Sequence, residues 1–493
     1  MKLRAIFVLT SLMLSASPLA MAAPATPQEA GRLMALFKSL LGKDADKLRV
    51  KPNGEYYEVT FDLPKKINES DVDAEVNQTP LVIKLQDLGG GKWTAAQAAP
   101  FGFDSKQVKD GKTAMAAGKI GAFTVSGTFD QTLGTFSEAK AQISDVSFSV
   151  TETGGNPDLN GFSFIARSAE IDLNSGLSAP LAELANARFY IGLNDISGDI
   201  DMPPDEKNPM GIKGSFALAH TDRTLELKGA RPKALMKFID WAKAHPDEKS
   251  QEAGRADLAK IVKESLPVFD TASFNSTLKG LTIDTPFGKA GLENVIADLT
   301  MNGVVAQGMA RQVVTISGLT LPGGLPQEIL PKFALELMPK SFSMDVKVTD
   351  YDLAAPVGML LDHLEKSGDE PSPEMEKQLL AVLLPKGEAT VTLAPGSYVS
   401  PALTVKYEGS MVAGPVKMPF GTALVSANGL DRVIELIKTA PKELNLENGI
   451  YAILAAKGFG KVAEDGTVTW KIETTREGAV SVNGVKMPGT GAN

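Results

Sequence analysis

The eight residues VGMLLDHL, 357–364, carry the pattern that decides the fold class. Val357, Leu360, Leu361 and Leu364 recur at the spacing of one face of an α-helix. The same pattern occurs in three other segments, which are LMALFKSL (33–40), LMKFIDWA (235–242) and LDRVIELI (430–437). The sequence therefore predicts four amphipathic helices, and each has one apolar stripe that another element must cover.

His363 and Asp362 are neighbours in this segment, which raises the question of a catalytic pair. Adjacent residues on a helix do not face each other, so a His–Asp pair is not built by this spacing. The position of His363 is occupied by Trp241, Leu436 and Ser39 in the other three segments. We therefore interpret His363 as a structural residue on the flank of a helix.

Three of the four segments continue into a polar, proline-containing turn and then a second segment with an apolar stripe. These second segments are ADLAKIVKESLP (256–267), EMEKQLLAVLLP (374–385) and LENGIYAILAAKG (446–458). A proline or glycine ends each of them, and a strand-like segment follows. The sequence therefore predicts repeated helical hairpins that alternate with strands.

The remaining segments alternate apolar and polar residues, which is typical of antiparallel sheet with one covered face. Examples are EYYEVTFDL (55–63), SFSMDVKVTD (341–350) and GTVTWKIETTREGAVSVNGVKM (466–487). Helix stripes and strand stripes each need a partner. We therefore predict an elongated α+β protein, mainly antiparallel β-sheet, in which the helical hairpins cover one face. The predicted parts are an N-terminal helix plus β-rich domain (23–228) and a hairpin and strand domain (229–493).

Residues 1–22 predict a cleaved secretory signal. Lys2 and Arg4 precede the apolar run AIFVLTSLML (5–14), and a small-x-small cleavage site ends at Ala22. The run is shorter than the ~20 residues of a membrane span. We therefore expect export to a bacterial periplasm and no transmembrane span after cleavage.

Composition excludes several classes of partner and cofactor. The chain after cleavage has 48 basic and 59 acidic residues, which disfavours nucleic acid. It has no cysteine, so it forms no disulfide and no thiolate metal site. Three scattered histidines, His220, His245 and His363, do not suit zinc, and the acidic stretch 194–209 lacks the calcium-loop spacing. We predict no metal and no cofactor.

No sequence motif assigns a catalytic residue. The G-x-S-x-G motif of serine hydrolases is absent. Paired carboxylates contributed by distant strands leave no local signature, so a carboxylate-based hydrolase stays open as a remote alternative. Aromatic residues make up 6% of the chain, which is poor for a sugar-stacking cleft.

One apolar segment is a candidate contact surface. Leu330, Phe333 and Leu337 share a face of a short proline-bounded helix, and Leu325 and Ile329 lie beside them. An exposed apolar patch of this kind marks an interaction site. Packing in the core is the alternative interpretation.

Near the C-terminal end of the sequence lies the segment Val480-Ser481-Val482-Asn483-Gly484. It follows a long series of predicted strands, many ending in glycine, that alternate with short helices. This organisation resembles an uncharacterised proteobacterial periplasmic domain-of-unknown-function family, the YdgA-like set. The resemblance implies no catalytic residues. The chain is also similar to AsmA-type envelope proteins, whose extended sheets are thought to hold lipid, although it lacks their membrane anchor.

These features favour a non-enzymatic periplasmic envelope protein that binds lipid or another apolar ligand on a β-sheet surface. The long one-faced strands with few convergent polar groups motivate this hypothesis. The alternative is an envelope assembly or scaffold protein that contacts other envelope proteins through its helical segments, near 321–339 or 430–457.

Overall fold

The computed structural model describes most of the chain. The described residues are 24–41, 46–61, 66–69, 72–109, 112–130, 135–153, 162–174, 185–202, 212–245, 247–326, 330–366, 372–415, 418–441 and 444–487. The chain divides into two compact units, Met1–Glu226 with Leu278–Ala290, and Leu227–Thr277 with Gly291–Asn493. The predicted signal, residues 1–22, lies outside the described residues.

The first unit contains one described helix and a long series of strands. These elements are α1 (Pro27–Leu41), β1 (Leu48–Asn53), β2 (Tyr56–Phe61), β3 (Lys66–Glu69), β4 (Val72–Gln78), β5 (Leu81–Gly89), β6 (Lys92–Gln97), β7 (Phe101–Lys109), β8 (Lys112–Asp130), β9 (Thr135–Thr153), β10 (Phe162–Asn174), β11 (Ala185–Met202) and β12 (Ile212–Ala230). Strands β12, β13 (Thr271–Thr285) and β14 (Gly288–Asn302) contribute residues to both units.

All described pairings of the first unit are antiparallel. The order β1–β2–β5–β6–β8–β9–β10–β11 follows from the hydrogen-bonded registers. The first half of β8 pairs with β7, which pairs with β4, and β4 pairs with β3. The second half of β8 pairs with β6 instead. The 19-residue β8 therefore joins two sets of shorter strands to the long ones.

Helix α1 packs its apolar residues into the core of the first unit. Ala30, Leu33 and Phe37 recur at helical spacing and are buried. They belong to one apolar cluster with residues of β1, β2, β5, β6, β8 and β9, which include Trp93 and Val125. The predicted apolar stripe of LMALFKSL therefore packs against the sheet.

The second unit contains eight described helices and the remaining strands. The helices are α2 (Pro232–Ala244), α3 (Glu248–Ala253), α4 (Arg255–Ser265), α5 (Lys332–Leu337), α6 (Ala354–Lys366), α7 (Pro373–Leu383), α8 (Leu430–Lys438) and α9 (Glu447–Phe459). The strands are β15 (Gly308–Ser317), β16 (Ser341–Tyr351), β17 (Ala389–Val399), β18 (Thr404–Ala413), β19 (Phe420–Asn428), β20 (Lys461–Val462), β21 (Val468–Thr474), β22 (Val480–Val482) and β23 (Val485–Lys486).

The strands of the second unit form an antiparallel meander. The order is β14–β15–β16–β17–β18–β19–β21, and each pair is antiparallel. Both β20 and β22 pair with β21, and β23 pairs with β22. The alternating segment 466–487 forms the antiparallel pair β21 and β22, followed by β23.

The helix predictions are confirmed. The four eight-residue segments lie in α1, α2, α6 and α8, and the second segments of the hairpins lie in α4, α7 and α9. The sequence did not predict α3, which Asp247 caps by accepting a hydrogen bond from the Ser250 backbone at 2.9 Å. The α+β class with a mainly antiparallel sheet is thereby confirmed.

Candidate functional site

Strands β8 to β11 have one apolar face and one polar face. The apolar face carries Ile120 and Phe123 of β8, Ile143, Val146 and Phe148 of β9, Phe164, Ala166, Ala169 and Ile171 of β10, and Ile191, Leu193 and Ile196 of β11. The polar face carries Lys140 and Gln142 of β9, Ser168 and Glu170 of β10, and Arg188 and Asn194 of β11. We call these the apolar face and the polar face of the first unit.

Successive side chains of these strands alternate between the two faces, and in the middle of each strand one residue is skipped in this alternation. In β10, Ala166 and Ala169 are buried, whereas Arg167 and Glu170 are exposed. A strand places successive side chains on opposite faces, so an uninterrupted strand would put Ala166 and Ala169 on different faces. One residue is therefore inserted at Arg167, and the apolar residues stay on one face.

Neighbouring strands carry the same interruption at the same level. Asp145 of β9 and Asp195 of β11 flank Arg167, and both have left-handed backbone angles, with φ of 52° and 49°. Gly121 of β8 is the equivalent position. Because all four strands change phase together, the hydrogen-bonded register continues across the interruption. We call this level the phase break.

Helix α1 and its partner strands cover the apolar face on one side of the phase break. Val125, Ala139 and Ala141 belong to the buried cluster of α1, and Phe123 and Ile171 pack against it. On the other side of the break the apolar face carries Phe148 of β9 and Phe164 of β10.

A row of aromatic rings crosses that second part of the face. We define the phenylalanine row as Phe103 (β7), Gly118 (β8), Phe148 (β9), Phe164 (β10), Gly198 (β11) and Phe216 (β12). The first five are direct cross-strand neighbours in the antiparallel registers. Phe216 joins the row because its ring lies over Gly198.

The rings of the row lie flat where glycine leaves space. A Cβ atom at Gly118 would overlap the Phe103 ring, and one at Gly198 would overlap the Phe216 ring. Phe148 and Phe164 contact each other with ring centroids 5.7 Å apart. Glycine in a strand commonly marks such a close approach. The result is a strip of four aromatic rings that spans six strands.

All four rings are half-buried, and none of them belongs to the buried cluster of α1 among the described residues. A phenylalanine ring has no hydrogen-bonding atom, and the flanking backbone groups are used by the strand ladders. The strip therefore offers apolar contact without polar anchoring, which suits an apolar ligand.

The polar face of the first unit holds a cross-strand hydrogen-bond network. Asn194 Nδ2 donates to Ser168 Oγ at 3.2 Å. His220 Nδ1 lies 2.7 Å from Asn194 Oδ1, and its Nε2 lies 2.8 Å from Asp222 Oδ2. Burial and the negative charge of Asp222 raise the pKa of Tyr190 nearby. Since Asn194 bridges Ser168 and His220, the imidazole does not directly activate this serine.

The other two histidines also have local partners. His245 follows α2, where its Nδ1 lies 2.8 Å from the Trp241 carbonyl oxygen and its ring stacks on Trp241. Asp362, the neighbour of His363, binds Lys263 with 2.5 Å between Oδ1 and Nζ. This hydrogen bond lowers the pKa of Asp362. The carboxylate is therefore directed to α4.

The predicted contact residues that the structure describes are half-buried, and they are Leu325, Leu330, Phe333 and Leu337. Ile329 lies outside the described residues. Helix α5 is tied to the second unit, because Tyr398 Oη of β17 donates to the Leu337 carbonyl and the Ala402 amide donates to the Glu336 carbonyl at 3.0 Å. The contact surface stays a prediction.

A more exposed apolar surface lies on α9. Tyr451 is 72% exposed and Leu454 is 51% exposed, and they follow one another at helical spacing. Leu444 and Phe459 are exposed at the two ends of this helix. We call these four residues the α9 surface.

Comparison with known proteins gives no relative for this arrangement: no family model, no curated protein and no solved structure matches the chain. Among the described residues, no cluster of three or more histidine, cysteine, aspartate or glutamate side chains could hold a metal ion. Within the same part of the chain, every helix is too short or too polar to cross a membrane.

The sequence alone does not reveal the phenylalanine row, although it contains a signal for the phase break. Two successive residues without a large apolar side chain interrupt each alternating segment: Gly121-Ala122, Ser144-Asp145, Arg167-Ser168 and Asn194-Asp195. Such doublets mark the position where an apolar face can be kept only by inserting one residue.

Proposed function

We propose that the protein binds an apolar ligand or lipid along the phenylalanine row, without catalysing a reaction. The observation that carries this proposal is the strip of half-buried rings on an otherwise one-faced sheet, outside the cluster that α1 covers. Contiguous apolar surface of this kind marks binding sites for apolar partners.

The predicted secretory signal supports an envelope setting for this function. We further propose that helical hairpins of the second unit cover one face of its sheet. Tyr398 and Trp470 lie on the same sheet face by register, and each donates a hydrogen bond to a helix carbonyl, of Leu337 and of Ala456. In this arrangement the second unit serves as a covered scaffold and the first unit as the ligand surface.

Native mass spectrometry of the full chain tests the binding proposal. The protein is purified from its own periplasm and also incubated with phospholipid vesicles. We expect a mass increment from bound lipid, reduced at least tenfold in occupancy by Phe148→Ser combined with Phe164→Ser. A protein that never carries lipid under either condition refutes the proposal.

Ile165 provides the matched control. It is the neighbour of Phe164 in β10 but lies on the polar face and is 54% exposed. Ile165→Ser removes a similar amount of apolar surface one residue away. Binding should remain as in the wild type, because the substitution leaves the apolar face intact.

The second candidate function is an envelope assembly or scaffold protein. The α9 surface favours it, since an exposed tyrosine and leucine on one helix face are typical of protein contacts. Photocrosslinking in cells from position 451 would yield discrete protein adducts if this candidate is right. The same probe placed at Lys377, an exposed residue of α7 outside both predicted contact segments, is the control for random collisions.

A further inference from the structure

We infer that the ligand of the phenylalanine row is a single long linear acyl chain that lies across the strands. This inference rests on the proposed function and adds to it the class, length and direction of the ligand. Three features of the row support it: its length, its boundary toward the phase break and its lack of polar side-chain atoms.

The row has a defined length. It runs perpendicular to six strands, from Phe103 in β7 to Phe216 in β12. Neighbouring strands lie about 4.8 Å apart, so five intervals give a strip of roughly 24 Å. An extended chain advances about 1.2 Å per bond, since a residue of three bonds spans about 3.5 Å. The strip therefore matches a chain of roughly sixteen to twenty carbons.

The strip has a boundary on the side toward the phase break. On the side of the row toward the phase break, the next residues of β10 and β11 are Ala166, 2% exposed, and Ile196, 9% exposed. These side chains are closed to a ligand, whereas the rings of Phe148 and Phe164 remain half-buried. One chain can lie along the rings, and a second chain beside it toward the break would find little surface.

The chemistry of the row also selects a linear chain. Its six members are phenylalanine and glycine, so the surface carries no side-chain donor or acceptor from end to end. A ligand with internal polar groups would leave them without partners, at a cost in binding. Methylene groups contact ring faces along the whole strip and have no such cost.

Fatty acids of increasing length test this inference on the full chain. Their affinities are measured by displacement of a fluorescent naphthalene sulfonate dye, for eight, twelve, sixteen and twenty carbons. We expect affinity to rise from eight to twelve and from twelve to sixteen carbons, and to level off between sixteen and twenty. Affinity that is flat from eight carbons onward overturns the inference.

Variants at the ends of the row test the direction of the chain. Phe103→Ser and Phe216→Ser should weaken binding of the sixteen-carbon acid about tenfold and leave the eight-carbon acid unchanged. Phe164→Ser, at the centre, should weaken both. A chain that lies along one strand would instead make the effect of the end variants independent of ligand length, and that result overturns the inference.

The source of the chain and the folding of the variants are tested in parallel. A lysophospholipid should bind as the fatty acid does, whereas equal affinity for a two-chain phospholipid in vesicles overturns the single-chain inference. If no fatty acid of any length binds, the proposed function itself fails. Ile165→Ser and thermal unfolding of every variant separate loss of binding from loss of fold.

Discussion

The sheets of the two units use aromatic side chains in different ways. In the second unit, Tyr398 and Trp470 direct a polar atom to a helix carbonyl, and Tyr407 directs its hydroxyl to the Ser343 carbonyl at 2.8 Å. The row of the first unit is built from phenylalanine, which has no polar atom to satisfy. Buried tyrosine and tryptophan usually require a hydrogen-bond partner. The aromatic side chains of the second unit thus use a polar atom in a hydrogen bond to a backbone carbonyl, and the rings of the row make no such bond.

The two sheets share one device, which is a ring packed over glycine on the neighbouring strand. Tyr351 lies over Gly308 and Tyr407 over Gly396 in the second unit, as Phe103 lies over Gly118 in the first. Such cross-strand packing fixes the pairing of strands. The two units therefore differ in the ring that packs over glycine, which is tyrosine in these pairs of the second unit and phenylalanine in the row.

The largest expected effect contrasts the two parts of the apolar face of the first unit. Phe37→Ala removes a ring from the buried cluster of α1 and should cost about 3–5 kcal/mol of unfolding free energy. Phe164→Ala removes a half-buried ring and should cost about 1–2 kcal/mol. Hydrogen exchange of the β5 and β6 backbone amides at increasing urea concentration measures the loss of unfolding free energy for both variants. Equal losses would mean that the row is as deeply packed as the core.

A smaller effect tests the tie between helix and sheet in the second unit. Trp470→Phe keeps an aromatic ring but removes the indole N–H. In the wild type, Trp470 Nε1 donates to the Ala456 carbonyl oxygen at 2.6 Å. The loss should be about 1–2 kcal/mol and should appear as faster hydrogen exchange in α9.

The matched control for that variant is Trp241→Phe. Trp241 Nε1 donates to the Gly254 carbonyl at 3.1 Å, so the same atom is lost at another helix. Exchange should then increase near α2 and α3 and stay unchanged in α9. Faster exchange in α9 for both variants would show a global loss of stability instead of a local tie.

A pH-dependent effect is expected at the charge pair that joins β15 and β16. Arg311 donates to both carboxylate oxygens of Asp345 at 2.9 and 2.6 Å, and these bonds lower the pKa of Asp345. An unfolded aspartate has a pKa of about 3.9, so folding favours the ionised form. The stabilisation is complete above that pH and is lost as the pH falls through the lowered pKa of the folded state.

The comparison of wild type with Asp345→Asn measures this contribution. Because Arg311 is largely exposed, the difference in unfolding free energy near neutral pH should be at most about 1 kcal/mol. It should decrease below about pH 4, where this carboxylate takes up a proton in the unfolded chain while it is still ionised in the folded protein. A difference that stays constant through this range would assign the effect to packing instead of charge.

The smallest effect is expected on the polar face of the first unit. Ile165→Ser should change the unfolding free energy by no more than about 0.5 kcal/mol, because the side chain is mostly in solvent. Urea unfolding measures it directly. A loss as large as that of Phe164→Ala would place Ile165 in a packed surface and remove the contrast between the two faces.

The sequence predicts local elements well and the candidate site poorly. Helical spacing located α6 and α8, because 3.6-residue periodicity is a local property of eight residues. The phenylalanine row depends instead on register between distant strands, such as Phe164 with Gly198. A shift of one residue would move every ring to the other face, and a single sequence does not contain that register.

The phase break explains part of this difficulty. Alternation in β9 and β10 fits period two only when the two halves are read separately on either side of Asp145 and Arg167. If each strand is treated as one uninterrupted segment with a period of two, the side chains of its second half are assigned to the opposite face. The doublets at these positions locate the break, yet only the left-handed angle at Asp145 shows how the chain makes it.

A pair of single-cysteine probes tests the proposal that an acyl chain binds to the apolar face of the first unit along the phenylalanine row. The chain has no cysteine, so Ala116→Cys and Ala117→Cys can each be labelled with an environment-sensitive dye. Ala116 lies on the apolar face, two residues from Gly118, and Ala117 is exposed on the polar face. Addition of a sixteen-carbon fatty acid should shift the emission of the dye at 116 and leave the dye at 117 unchanged. Equal responses at the two positions, or none at either, would contradict the account.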